Sequence, residues 1–309
     1  MNGIINVYKE QGFTSHDVVA KLRGILHMKK IGHTGTLDPD AVGVLPVCLG
    51  KGTRLVDMIT DWGKTYEAVM LLGTTTDTQD ISGAVLEKKD VHVTEVQVMD
   101  ACNSFVGEYD QIPPMYSAIK QNGHKLYELA RKGIEVERKP RRITIHSLHI
   151  NDINLTEENP TVTFTVECSK GTYIRTLCED IGKKLGCGAC MQKLTRTRVG
   201  QFGIDDSLTL NQISALCLKG EFDNRVTAID EMFPSYQKIV VLDEFGKLLY
   251  NGNKFGINVL KQAEELEFLN GEMYRVYNEK SQFVGIYRYD SGLFVLEKMF
   301  YDPEKNVES

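Results

Sequence analysis

A glycine-rich stretch between residues 32 and 52, GHTGTLDPDAVGVLPVCLGKG, constrains this chain more than any other part. It contains five glycines, two prolines and one histidine. Glycines at this density indicate backbone conformations that other residues resist, or backbone that passes close to another group. Pro39 fixes its own φ and favours an extended Asp38, which places a carboxylate on a stiff turn. A rigid carboxylate of this kind suits covalent catalysis by aspartate.

The same residues support a second interpretation. Asp38 followed by Pro39 is also typical of a helix start, with aspartate at the N-cap and proline at the first helical position. The local sequence alone leaves both interpretations open.

Length and composition indicate a globular protein with room for two domains. The chain has 309 residues, of which 42% are hydrophobic and 25% charged. It contains no run of 18 apolar residues and no apolar leader after a basic start. We therefore expect no membrane segment and a cytoplasmic location. The seven cysteines are scattered, which favours reduced thiols over a disulfide framework or a zinc site.

Charge is unevenly distributed along the chain. The net charge of −6 arises after residue 220, where 16 acidic residues face 10 basic ones. Two earlier segments are basic: residues 131–142 carry six bases and two glutamates, and residues 181–198 carry five bases and no acid. Such stripes suit an RNA backbone, although solvated surface charge explains either stripe equally well.

Several elements are predicted from spacing and capping residues. A helix is expected from Ser15 as its N-cap, a strand over residues 64–72, and paired strands over residues 142–150 and 161–168. A further helix begins near Tyr173, so Arg175 lies in its first turn. Because a cation there opposes the helix dipole, we expect Arg175 to have a carboxylate partner.

Three motifs, GHTGTLDPDAVGVLPVCLGKGTRL, GTTTDTQDISG and GTYIRTL, resemble those of the TruB family of tRNA pseudouridine synthases. The resemblance is strong to about residue 210 and weak beyond it. It implies an α+β pseudouridine-synthase fold built on a largely antiparallel mixed sheet. It also implies a catalytic domain over residues 1–233 and a small β-rich, PUA-like domain over residues 234–309.

The resemblance further implies isomerisation of uridine 55 in the T arm of tRNA, without a cofactor or metal, by a monomer that needs no protein partner. Asp38 would be the nucleophile, and whether it attacks the sugar or the base stays open. Arg175 would hold Asp38, and Tyr66 would stack on the flipped base, although a strand tyrosine is also typical of the core. Further substrate contacts would come from His33, Tyr173, Lys9, Lys64 and Leu194. His33 is also compatible with a structural role.

Two alternatives from other classes remain. One is an RNA-binding protein that keeps the scaffold without catalysis, against which an intact set of Asp38, Tyr66 and Arg175 argues. The other is a nuclease that binds two metal ions through Asp38, Asp40, Asp77 and Asp80. Asp77 and Asp80 lie in a threonine-rich turn, where carboxylates also cap backbone amides.

Overall fold

A computed structural model describes residues 1–121, 123–156, 158–261 and 266–301. The strands there are β1 Gly3–Lys9, β2 Ile31–His33, β3 Val42–Leu49, β4 Lys64–Leu72, β5 Thr74–Thr76, β6 Val85–Lys88, β7 Gly107–Gln111, β8 Lys120–Gln121, β9 His124–Lys125, β10 Arg141–Asn154, β11 Thr161–Cys168, β12 Ala189–Val199, β13 Phe202–Gly203, β14 Gln237–Val241, β15 Phe255–Gly256, β16 Met273–Asn278, β17 Phe283–Asp290 and β18 Leu293–Met299. The α-helices are α1 Ser15–Ile25, α2 Val56–Thr60, α3 Glu95–Asn103, α4 Leu126–Ala130, α5 Ile174–Leu185, α6 Leu210–Lys219 and α7 Gly246–Tyr250. Five 3₁₀ turns connect them, at Gly50–Leu55, Phe222–Arg225, Asp230–Met232, Asp243–Phe245 and Ile257–Val259.

The larger sheet has nine strands in the order β1-β3-β12-β4-β11-β10-β7, with β2 and β13 on branches. Its pairs are antiparallel except β3 with β12, which run parallel at Val42 and Gly43. The predicted strand at Lys64–Leu72 is confirmed, and so is the pairing of the two later strands. The predicted α+β fold with a largely antiparallel sheet is therefore present.

Strands β1 and β3 are buried on both faces. In β3, Leu45 and Val47 belong to one apolar cluster, whereas Val44 and Cys48 belong to another. This explains why the segment GVLPVCL is almost continuously apolar, since alternation is expected only where one face meets water.

Helices cover this sheet in two groups. Helices α1 and α6 pack with β1 and β3, while α3 and α5 pack with β4, β10, β11 and β12. The apolar spacing that predicts α5 is the spacing of its buried residues Ile174, Leu177 and Ile181. No helix in the described ranges is both long and apolar enough to cross a bilayer.

The C-terminal part forms a second sheet of five strands, ordered β14-β16-β17-β18-β15. The two sheets share an apolar cluster, in which Ile286 and Phe300 are buried with Val44 and Phe233. The β-rich tail is thus observed. The domain boundary between residues 233 and 234 remains a prediction.

Candidate active site

The segment between β2 and β3 is a loop that carries Asp38. Thr34 fastens its first half, because the Thr34 amide and Oγ1 donate to the Pro46 carbonyl at 3.2 and 3.1 Å. Its second half is a β-turn, in which the Ala41 amide donates to the Asp38 carbonyl at 3.1 Å. Pro39 suits the second position of this turn because its φ is already fixed there. The interpretation of Asp38 as a helix N-cap is therefore wrong, since the chain continues into β3.

Ser15 supports this loop from α1. Its buried Oγ accepts a hydrogen bond from the Leu37 amide at 2.9 Å, directly before Asp38. The prediction of Ser15 as the N-cap of α1 is wrong by one residue. Thr14 caps the helix instead, in a reciprocal capping box with Asp17. That arrangement leaves the Ser15 hydroxyl available for the loop.

Asp38 and Arg175 form the ion pair that the sequence predicts. Arg175 Nε lies 3.1 Å from Asp38 Oδ2, and Nη2 donates to Oδ1 at 3.4 Å. Two contacts along one edge of a planar guanidinium orient both carboxylate oxygens. The Arg175 side chain is 7% exposed and that of Asp38 42%. The arginine is therefore fixed inside the protein, while the carboxylate remains accessible to a ligand.

Further acceptors hold the Arg175 guanidinium in place. Nη1 donates to the Thr78 carbonyl at 3.1 Å and to Asp80 Oδ2 at 3.4 Å. Nη2 also donates to the Tyr116 carbonyl at 2.9 Å. Arg175 thus joins Asp38 to two other segments of the chain, and its charge meets two carboxylates.

Two other carboxylates of the nuclease alternative, Asp77 and Asp80, already accept hydrogen bonds from their own turn. Asp80 Oδ1 accepts hydrogen bonds from the Ser82 amide at 3.0 Å and from Thr78 Oγ1 at 2.7 Å. Asp77 Oδ1 accepts from the Ala84 amide at 2.8 Å. Both residues therefore cap the turn. Within the described ranges, no three His, Cys, Asp or Glu residues are grouped so as to hold a metal ion.

The electrostatics of Asp38 reflect two opposing influences. Burial is the largest and raises the pKa of Asp38 above its ordinary value. The Arg175 charge is the main influence that lowers this pKa, and Lys9 lowers it further. Arg175 therefore favours the ionised form that a nucleophilic carboxylate requires.

Tyr66 lies on β4 in the apolar core, 8% exposed, in the same cluster as Leu37. Burial raises the pKa of its hydroxyl, whereas the charge of Arg196 and a hydrogen bond from it lower that pKa. The charge of Asp38 raises the pKa of Tyr66 as well. Tyr66 is thus a core residue whose phenol lies beside the Asp38 loop.

Tyr173 is the N-cap residue of α5 and adjoins the same site. Its amide donates to Gln111 Oε1 at 2.8 Å, and its carbonyl accepts from Gln111 Nε2 at 3.0 Å. Burial raises the pKa of the Tyr173 phenol, Arg175 lowers it and Asp38 raises it. The structure thus brings together four residues that the sequence motifs indicate: Asp38, Tyr66, Tyr173 and Arg175.

Lys9 and Lys64 are buried beneath the loop. Lys9 Nζ donates to the Pro39 carbonyl at 3.0 Å, and burial lowers its pKa to about 8. Lys64 Nζ donates to the Thr60 carbonyl at 2.6 Å, and burial likewise lowers its pKa to about 8. Both ammonium groups therefore support backbone around the site. Their contact with substrate remains a prediction.

His33 and Leu194 lie at the edge of this group. His33 ends β2 and its Nδ1 accepts a hydrogen bond from the Gly35 amide at 3.4 Å. Burial and the charge of Arg196 lower the pKa of His33, which favours the neutral imidazole. Leu194 is buried on β12 and pairs with Ala68. Their roles toward a substrate remain predictions.

Comparison with known proteins covers nearly the whole chain. Residues 23–174 match the N-terminal domain of TruB family pseudouridylate synthases, and residues 175–240 match the tRNA pseudouridylate synthase B C-terminal domain. The tRNA pseudouridine synthase B of Lachnoclostridium phytofermentans is 51% identical over 310 residues, which is 99% of each chain. That of Clostridium perfringens strain SM101 is 47% identical over 303 residues, 98% of this chain and 100% of the relative. The chain belongs to the TruB family.

Solved structures share the TruB fold. A Cbf5–Nop10–Gar1 complex aligns with a TM-score of 0.72 and 26% identity, over 98% of this chain and 86% of the other. An H/ACA RNP bound to a substrate RNA containing 2′-deoxyuridine aligns with a TM-score of 0.70 and 25% identity, over 97% and 85%. The predicted family, the pseudouridine-synthase fold and the class of enzyme are confirmed.

Arg196 also lies at this site, although the sequence predicts no role for it beyond a place in a basic segment. It is 1% exposed, and its Nε donates to the Val44 carbonyl at 2.7 Å. Its Nη2 donates to the Gly35 carbonyl at 3.2 Å. One signal was available: Arg196 follows Leu194 at the strand period of two, so it occupies an inward position.

The two basic segments differ in their relation to the TruB site. In the first segment, Arg141 lowers the pKa of the Tyr173 phenol, although burial has the larger effect and raises it. Lys183 lies in the last turn of α5, at the opposite end from Arg175, and pairs with Glu179 at 3.0 Å. The second segment also contains Arg196, which is buried beside the Asp38 loop, so its residues differ widely in their distance from the site.

Proposed function

We propose that this TruB-family protein isomerises uridine 55 in the T arm of tRNA to pseudouridine. The observation that carries the proposal is the two-bond contact of Arg175 with the Asp38 carboxylate, which stays 42% exposed. Relatives that are 47 and 51% identical over nearly full length, and are named tRNA pseudouridine synthase B, supply the substrate class.

The reaction exchanges one bond of the base for another. Asp38 acts as nucleophile, either at the sugar or at the base, and the C1′–N1 glycosidic bond breaks. The bond that Asp38 forms breaks again later in the reaction, which returns the free carboxylate. The uracil rotates and a C1′–C5 bond forms, while C5 loses its proton and N1 gains one. Atoms and electrons balance without a redox partner or group donor. The uridine has to leave the base stack first, at a cost of a few kcal/mol.

The neighbouring residues divide the remaining tasks. Arg175 keeps Asp38 ionised and oriented, because its own position is fixed by three further acceptors. Tyr66 stacks on the flipped base and helps to remove the C5 proton, and Tyr173 shapes the pocket. His33 packs at the RNA face. We expect a monomer that works in the cytoplasm without a protein partner.

The decisive experiment compares Asp38→Asn with Asp40→Asn on a T-arm transcript, with pseudouridine mapped by position. Asp38→Asn keeps the shape of the side chain but removes the nucleophile, so product formation should fall at least a thousandfold. RNA affinity should stay within a few-fold. Asp40→Asn, two residues away and exposed, should retain turnover within threefold.

The same assay separates the alternatives. An RNA-binding protein without catalysis would bind the transcript and form no pseudouridine. A metal-dependent nuclease would cleave it and stop when EDTA is added. Turnover of Asp38→Asn within tenfold of the wild type would refute the assignment of the nucleophile, and product at another uridine would refute position 55.

A further inference from the structure

Arg196 lies where the Asp38 loop enters the large sheet. It is among the largest fully buried side chains, at 1% exposed. On β12 it pairs with Tyr66 of β4 on one side and with Gly43 of β3 on the other. This single position therefore adjoins both the strand that carries Tyr66 and the strand that follows the loop.

Two backbone contacts fix the orientation of its guanidinium. Nε donates to the Val44 carbonyl at 2.7 Å, and Nη2 donates to the carbonyl of Gly35, three residues before Asp38, at 3.2 Å. A guanidinium is planar, so two fixed nitrogens determine where the third points. Tyr66 is the residue directly opposite Arg196 on β4, so the two side chains lie side by side on one face of the sheet.

The charge of Arg196 is poorly compensated for a buried residue. The hydrogen bonds that it donates in the described part of the chain go to neutral groups, the Val44 and Gly35 carbonyls. Its charge also lowers the pKa values of Lys9 and Lys64, which are buried nearby. Burying a cation without a carboxylate is costly, and an apolar residue would fill a strand position at lower cost. Such a cost suggests a role in the reaction as well as in packing.

We propose that Arg196 is a positioning residue for the TruB reaction. It acts through the Tyr66 hydroxyl, which it holds at a fixed position relative to the Asp38 loop. The inference rests on the proposed function. Lysine at this position keeps the charge but cannot donate in three fixed directions.

The test uses single-turnover release of tritium from C5 of the target uridine in a saturating T-arm hairpin. We expect Arg196→Lys to slow this step at least tenfold. RNA affinity, measured in an Asp38→Asn background so that turnover does not interfere, should change less than threefold. Arg275→Lys is the matched control, since Arg275 also donates to backbone carbonyls, those of Tyr236 and Asp230, but in the second sheet. Its rate should stay within threefold of the wild type.

A double-mutant cycle distinguishes positioning from mere structural support. If Arg196 acts through the Tyr66 hydroxyl, the variant that combines Arg196→Lys with Tyr66→Phe should react within threefold of Tyr66→Phe alone. Effects that multiply would overturn the inference, and so would wild-type turnover of Arg196→Lys.

Folding is checked by circular dichroism and with a second variant, Arg196→Gln. If both Arg196 variants unfold while Arg275→Lys folds, the residue is purely structural and the inference is wrong. A wild-type protein that does not isomerise the RNA would instead refute the proposed function itself.

Discussion

Arg175 shows how much of this site depends on a single side chain. Its guanidinium contacts Asp38 twice and also meets Asp80 and the carbonyls of Thr78 and Tyr116. A lysine has one compact cation and cannot reproduce that planar set of bonds. The residue therefore determines both the charge and the direction of the Asp38 carboxylate.

We expect Arg175→Lys to lower the single-turnover rate roughly a hundredfold, the size of losing a preorganised charged contact. RNA affinity should stay within a few-fold. Arg175→Gln removes the charge that lowers the pKa of Asp38. That pKa should therefore rise, and the acid limb of the pH–rate profile should move to higher pH. An unmoved acid limb would show that Arg175 does not act on the ionisation of Asp38.

Lys64 gives a second prediction at this scale, on stability. Burial lowers its folded-state pKa to about 8, below the ordinary value of 10.5. Between these values the unfolded chain binds one proton more than the folded one, so stability rises with pH in that window. Relative to Lys64→Met, the wild type should gain roughly 1 kcal/mol per pH unit from about pH 8 to 10.5. Urea unfolding of both proteins at three pH values measures this gain. Equal pH dependences of the free energy of unfolding for the wild type and Lys64→Met would contradict the prediction.

The close approach of the parallel strands β3 and β12 requires a glycine in β3. Gly43 has φ of 106°, and a Cβ built there would lie 2.2 Å from the Arg196 carbonyl oxygen. No side chain fits without moving β12, which carries Arg196 and Leu194.

Gly43→Ala should therefore destabilise the fold by several kcal/mol, since steric overlap and a strained φ combine. Differential scanning calorimetry measures it. Gly24→Ala is the comparison, because Gly24 lies within α1 and a Cβ there meets nothing within 4 Å. That change should stabilise by up to about 1 kcal/mol. Equal melting temperatures for the two variants would contradict the steric argument.

The elements that could be predicted are those with local signals. The helix that starts after Tyr173 and the strand at Lys64 follow from spacing alone. The sequence could not decide whether Asp38 begins a helix or a turn, because Asp-Pro is common at the start of both. Thr14 and Ser15 both suit an N-cap, and the hydrogen bond to Leu37 decides between them. Arg196 was missed because its partners Val44 and Gly35 are 152 and 161 residues away.

At the scale of the whole molecule, the cluster shared between the two sheets couples the C-terminal part to the catalytic part. Phe300 is 3% exposed in that cluster, and Trp62, the only tryptophan, packs against it. Trp62 fluorescence therefore reports on the catalytic part while the mutation is made in the C-terminal part.

We expect Phe300→Ala to destabilise by about 3–5 kcal/mol, the usual range for emptying such a site. The urea midpoint seen by Trp62 fluorescence should fall accordingly. Leu293→Ala is the control, because Leu293 lies on the same sheet but is 42% exposed. It should change the urea midpoint little. If the Trp62 transition stays in place after Phe300→Ala, the two parts unfold independently.

The strand order β3-β12-β4 also bears on how the protein is made. Strand β4 ends at Leu72, while its neighbours β11 and β12 begin only at Thr161 and Ala189. On the ribosome, β3 and β4 therefore emerge long before the strand that joins them. Asp38 and Arg175 are 137 residues apart, and at ordinary translation speeds the arginine follows roughly 7 to 30 s later. Throughout that interval the facing edges of β3 and β4 lack β12, the strand that pairs with both of them.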